Sequence, residues 1–154
     1  MLFRSCAYLG RDLPIYCDEA EEAFIRRAFS YAFDPIVKMY PAGGVPRIDF
    51  QRINRPSFSV LDHEAVTPIP LRHGRYDVLG FRFGNLAYCT DVNAIPQSSW
   101  PLLEGLDVLI LDALRFKPHP THFSFDEALA VVETVKPGRT YFTHISCRLE
   151  PEEA

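Results

Sequence analysis

Three side chains, His73, Asp91 and His144, have the chemistry to bind a metal ion, and each stands at the C-terminal end of an apolar, strand-like run. His73 ends the run 65–72, Asp91 follows Leu86-Ala87-Tyr88-Cys89-Thr90, and His144 follows Thr140-Tyr141-Phe142-Thr143. Neutral imidazole and carboxylate are the donors of a zinc- or manganese-class hydrolytic centre. Ligands from three separated strands meet only if a sheet brings those strand ends together. Each residue also has a plainer reading. His73 would be a hydrogen-bonded histidine at a strand end, Asp91 a turn residue accepting from its own backbone two residues on, and His144 a strand cap.

The elements needed to position them can be read along the chain. Leu13-Pro14-Ile15-Tyr16-Cys17 reads as a short strand, and Asp18 and Glu21 have the spacing of a capping box. Ala20, Ala23, Phe24, Ala28, Tyr31 and Ala32 recur at helical spacing, so a helix is predicted to about residue 33, stopped by Asp34-Pro35. Residues 39–56, with Pro41, Gly43-Gly44, Pro46 and Pro56, read as loop with one short strand around 45–50. Four strands are predicted next, at 58–61, 65–72, 78–83 and 86–90, the last two joined by a Gly84-Asn85 hairpin turn.

Asp107-Val108-Leu109-Ile110-Leu111-Asp112-Ala113 is nearly unbroken apolar sequence, as in a strand buried on both faces. Ser124 and Glu127 form a second capping box ahead of a helix with one apolar face, closed by Lys136-Pro137-Gly138. Residues 139–143 make the last strand. Antiparallel hairpins followed by strand–helix–strand give a mixed, layered α/β sheet in a single domain over 1–154.

Composition narrows the function classes. A chain of 154 residues, 47% hydrophobic, can bury a core of its own. The net charge of −4 supplies no overall field for nucleic acid, and Arg26-Arg27 and the arginines of 47–55 read as a solvated face. Cys6, Cys17, Cys89 and Cys147 have no paired spacing, which excludes a disulfide framework or closed zinc knot and fits a cytoplasmic setting. No apolar stretch approaches the ~20 residues of a membrane span. There is no Gly-x-Ser-x-Gly elbow and no glycine-rich phosphate loop, and Cys89 has no nearby histidine base. His63 and His119 read as loop or surface residues, and Trp100 and the phenylalanines as core.

Thr67-Pro68-Ile69-Pro70-Leu71-Arg72-His73-Gly74, Leu86 through Asp91, Asp107 through Asp112 and Thr143-His144-Ile145-Ser146, in that order, resemble the metallo-β-lactamase superfamily. The similarity runs from Leu13 to Leu149 and looks nearest to its phosphodiesterase branch, which includes phosphoribosyl cyclic phosphate phosphodiesterase and ribonuclease Z. The resemblance implies an αββα sandwich with a dinuclear metal site holding two zinc or manganese ions. His73 would ligate one metal, Asp91 would bridge both, and His144 would ligate the second. His122, in Pro118-His119-Pro120-Thr121-His122, would contact the substrate phosphate or give a proton to the leaving oxygen. Asp112, ending its strand near that site, would orient a ligating imidazole.

The principal ligand motif of that family, His-x-His-x-Asp-His, does not occur in this sequence, and Cys147 stands where the family usually has another histidine. The expectation is therefore a sandwich truncated at its N-terminal side and at its C-terminus. A piece of this kind would hold one metal weakly and be inactive alone. The implied function is metal-dependent hydrolysis of a small cyclic phosphate or nucleotide-like phosphodiester. Two alternatives stand beside it: a tRNA 3′-processing activity, and a non-catalytic binding or assembly module of the same fold. In the last case an exposed sheet edge and apolar face would favour a homodimer.

Overall fold

A computed structural model describes residues 10–34, 45–53, 56–60 and 64–147. The chain forms two compact units, 1–55 and 56–154. His63 and Cys6 lie outside the described residues.

In the first unit, β1 (Leu13–Cys17) pairs in parallel with β2 (Ile48–Arg52), Leu13 facing Ile48 and Cys17 facing Arg52. Asp18 caps α1 (Glu19–Ala28), its Oδ1 accepting the Glu21 N–H at 2.9 Å. The helix is shorter than predicted. It leaves helical geometry at Phe29 (φ −118°, ψ 40°) and continues as a 3₁₀ turn, Ser30–Phe33. The tighter turn accompanies a stack of Phe33 on Phe50, ring centroids 5.8 Å apart, with the Arg26 guanidinium 4.8 Å from both rings. The second strand begins later than the expected 45–50, at Ile48.

The second unit is built on one six-stranded sheet in the order β3-β4-β5-β6-β7-β8. Its strands are β3 (Phe58–Val60), β4 (Glu64–His73), β5 (Tyr76–Phe83), β6 (Leu86–Cys89), β7 (Val108–Asp112) and β8 (Arg139–Thr143). Neighbours from β3 to β6 are antiparallel, and β6, β7 and β8 are parallel. The two parallel steps cross over through a 3₁₀ helix, Gln97–Leu103, and through α2 (Phe125–Val135). The first crossover was not legible in the sequence, because Pro96 and Pro101 break any helical period there. Trp100 packs against the core, as expected.

One face of the sheet is closed. Ile69, Leu71, Ala87, Cys89, Leu109 and Leu111 alternate along their strands and pack with Leu103, Ala128 and Val131. Burial pushes the Cys89 thiol up to about 12, which makes it a small hydrophobe and not a nucleophile. Gly80 lets this face close: a Cβ there would sit 2.9 Å from Leu71 Cδ1 and 3.0 Å from Cys89 Sγ. Pro68 and Pro70 are tolerated inside β4 because β3 pairs only as far as Val66. Beyond it, their missing N–H groups face an edge with no strand ladder.

Strand direction decides where the site can form. β4 runs antiparallel to β5 and β5 to β6, so β4 shares the direction of β6, β7 and β8. The C-terminal ends of these four strands lie along one edge of the sheet. His73 and Asp112 are the last residues of β4 and β7, Asp91 lies two residues past β6, and His144 directly follows β8. Among the described residues no helix is long and apolar enough to cross a membrane.

Candidate metal centre

At this edge the backbone takes conformations that ordinary residues avoid. Asp91 (φ 53°) and His144 (φ 63°) are both left-handed, a region that costs non-glycine residues about 1 kcal/mol or more. Left-handed positions of this kind cluster at functional sites. His144 Nε2 lies 3.5 Å from Asp91 Oδ1, and both side chains are about half exposed. His73 and Asp91 form a tighter group with His122, with one ligand atom from each within 4.8 Å of the others. The expected ligand set and the closest cluster thus share His73 and Asp91 and differ in the third member. His122 stacks on His144 with ring centroids 4.6 Å apart and lies edge-on to His73 at 4.6 Å, so all four side chains converge.

Hydrogen bonds fix two of the ring tautomers. His73 Nδ1 is 2.8 Å from the Thr121 carbonyl, which can only accept, so Nδ1 carries the proton and Nε2 keeps a lone pair. His122 Nδ1 is 2.7 Å from Asp112 Oδ2, and the carboxylate likewise requires a proton on Nδ1. Asp112 is fully buried, and the same oxygen also accepts the Val92 N–H at 3.0 Å. Its Oδ1 has no partner among the described protein atoms. Asp112, expected to orient a metal-ligating imidazole, is hydrogen-bonded to His122.

The loop 113–124 carries His122 across the strand ends and is tied down on several sides. Ala113 N–H donates to the Thr143 carbonyl, Leu114 N–H to Phe123, and Phe123 N–H to Val92. Asn93 bridges the hairpin and this loop, accepting the Gly74 N–H at 2.7 Å and donating to the Pro120 carbonyl at 3.2 Å. Gly74 (φ 61°) is required there: a Cβ would sit 2.9 Å from Thr121 Cγ2. Behind the loop, Ser124 and Glu127 form the predicted capping box. Glu127 Oε2 accepts both the Ser124 N–H and its hydroxyl, so the start of α2 is closed by its own carboxylate and is not free to receive a phosphate.

His119 lies in a loop, as expected. Its ring is half-buried and 5.1 Å from that of His122. Partial removal from water, then the Arg115 charge, holds its pKa below the ordinary histidine value. Thr121, Asn93 and His119 are the participants that spacing missed. The doubled histidine of His119-Pro120-Thr121-His122 was the available signal.

Residues 3–145 match the family model described as "Beta-lactamase superfamily domain". This chain belongs to that superfamily. The chain is similar to a diphosphatase of the PhnP family, 36% identical, covering 91% of this chain and 50% of that one with a TM-score of 0.77. Human tRNase Z, short form, is 21% identical, with 90% of this chain and 62% of that one covered at a TM-score of 0.61, which speaks for the fold. An octanoyltransferase of Porphyromonas gingivalis (strain ATCC BAA-308 / W83) is 26% identical over 138 residues, 88% of this chain and 27% of that protein. The chain thus spans between about a quarter and three fifths of the length of these relatives. These matches bear out the metallo-β-lactamase fold and the resemblance to its phosphodiesterase branch.

The donor set fits a divalent metal. Two imidazoles and a carboxylate are what a catalytic zinc takes from a protein; the His73 tautomer already presents Nε2, and His144 Nε2 lies 3.5 Å from Asp91 Oδ1.

Proposed function

We propose that this chain carries part of the active centre of a metal-dependent hydrolase acting on a small phosphodiester. The observation that supports it most is the convergence of His73, Asp91, His122 and His144 at one sheet edge, with His122 held by the buried Asp112. His73, Asp91 and His144 would hold the metal. When bound, a divalent ion supplies Lewis-acid charge that offsets the negative charge developing on a phosphodiester.

The remaining chemistry belongs to the chain. Asp112 fixes the Nδ1–H tautomer of His122, so Nε2 is the nitrogen that gains or gives a proton. The buried carboxylate 2.7 Å away also fixes the direction in which Nε2 points. His122 is then a general acid: as a water oxygen bonds to phosphorus and the ester P–O bond breaks, its Nε2 proton passes to the leaving oxygen. Thr121 and Asn93 keep the His73 and His122 segments in register.

The likeness to a diphosphatase at 36% identity supports phosphorus chemistry, and the absence of a concentrated basic patch in the sequence favours a small substrate over tRNA. The family match crosses both compact units, which supports reading them as one domain. The test is hydrolysis of bis(p-nitrophenyl) phosphate with zinc or manganese, using this chain and the chain extended by a segment carrying His-x-His-x-Asp-His. Activity in the extended protein that is lost in His122→Ala is expected. Metal-loaded extended protein with no hydrolysis would sink the reading.

A further inference from the structure

We propose that His119 donates a hydrogen bond from Nε2 to an anionic oxygen of the substrate, beside His122. This inference rests on the phosphodiester reading above and adds a substrate-positioning residue to it.

The backbone N–H of Thr121 can only donate, and it points to His119 Nδ1 at 3.4 Å; the Thr121 hydroxyl lies 3.3 Å from the same nitrogen. Nδ1 therefore holds a lone pair, and the proton of the neutral ring is on Nε2. His122 and His73 have the opposite tautomer, with protons on Nδ1 held by Asp112 and by the Thr121 carbonyl. The three clustered imidazoles thus divide by function. His73 offers a lone pair, which suits a cation. His119 offers an N–H, which repels a cation and suits a phosphate oxygen.

The backbone around His119 is built to hold that orientation. Pro118 and Pro120 flank it, and a residue before proline is held extended. Arg115 pins the approach, donating from Nη2 to the Pro118 carbonyl at 3.0 Å and from Nε to Lys117 at 3.1 Å. Thr121 contacts His119 with its N–H and hydroxyl and His73 with its carbonyl, so a single residue sets the tautomers of both rings.

The test combines nitrogen-15 spectra of the histidine rings with titration of inorganic phosphate into the zinc-loaded chain. His119 should show an unprotonated Nδ1, and phosphate should shift its Nε2 resonance. His119→Phe keeps the ring shape without a donor and should weaken phosphate binding about tenfold, the size of one hydrogen bond to a charged group. His119→Gln places an N–H near the same position and should stay within about twofold of wild type. A protonated Nδ1, or equal phosphate affinity in His119→Phe, overturns the proposal. A wild-type chain that binds zinc but no phosphate overturns both this inference and the phosphodiester reading.

Discussion

The two ends of the same six-stranded sheet solve their turns in different ways. At one end, Gly84 (φ 55°) and Gly105 (φ 68°) take left-handed positions with nothing within 4 Å of where their side chains would be, and Lys136 (φ 52°) is left-handed only as the C-cap that closes α2. Polar groups there serve the turns themselves. Arg82 donates to the carbonyls of Gly84, Leu102 and Glu104, and Asn85 accepts from Asp107 and Val108. At the other end, Asp91 and His144 are left-handed alongside Gly74, and a fully buried Asp112 leaves one oxygen without a partner among the described residues. The first end is built for closure alone. The second accepts backbone strain and an unsatisfied carboxylate oxygen to aim side chains at a common point.

Substitutions should separate the two ends. The largest effect is expected from Asp112→Asn. The amide can donate where the carboxylate accepts, so His122 loses its fixed tautomer. By analogy with the same change behind a catalytic histidine, turnover in the extended protein should fall by about 10²–10⁴-fold, with KM far less affected. A turnover within threefold of wild type would remove Asp112 from the mechanism. Next in size, Gly84→Ala forces a Cβ into the left-handed region and should cost about 1–2 kcal/mol in urea unfolding while metal binding is unchanged.

The mirror experiment is Asp91→Gly. It relieves strain at the working end and should raise stability by about 0.5–1 kcal/mol while abolishing metal binding. A loss of stability there would show that Asp91 is a structural turn residue after all. The smallest effect belongs to Arg82→Met, which removes three carbonyl contacts at a partly exposed site. A cost of about 0.5–1.5 kcal/mol is expected, with metal content and turnover preserved.

Much of this arrangement was legible because the informative residues sit where strands end. Apolar periodicity located β1 and β8 to the residue and every other strand to within a few. Direction came with the hairpins, which put His73 and Asp91 on one edge; that His144 joins them depends on the crossover between β6 and β7, which the sequence did not show. What spacing could not show was contact made through a loop. Asp112 and His122 are ten residues apart and belong to no regular element together, so their 2.7 Å bond exists only once the loop 113–124 has folded back. His119 was hidden for the same reason. The early end of α1 reflects a stack between Phe33 and Phe50, a pairing distant in sequence that helical periodicity does not encode.

The central claim is that His73, Asp91 and His144 hold a metal while His122 remains a proton-carrying residue. It is tested most directly by the metal content of the purified chain beside His144→Ala and His122→Ala, measured by plasma mass spectrometry after equilibration with zinc. Bound zinc is expected in the wild-type chain and in His122→Ala, and its loss in His144→Ala. No metal in the wild-type chain, or zinc lost in His122→Ala but kept in His144→Ala, would contradict it.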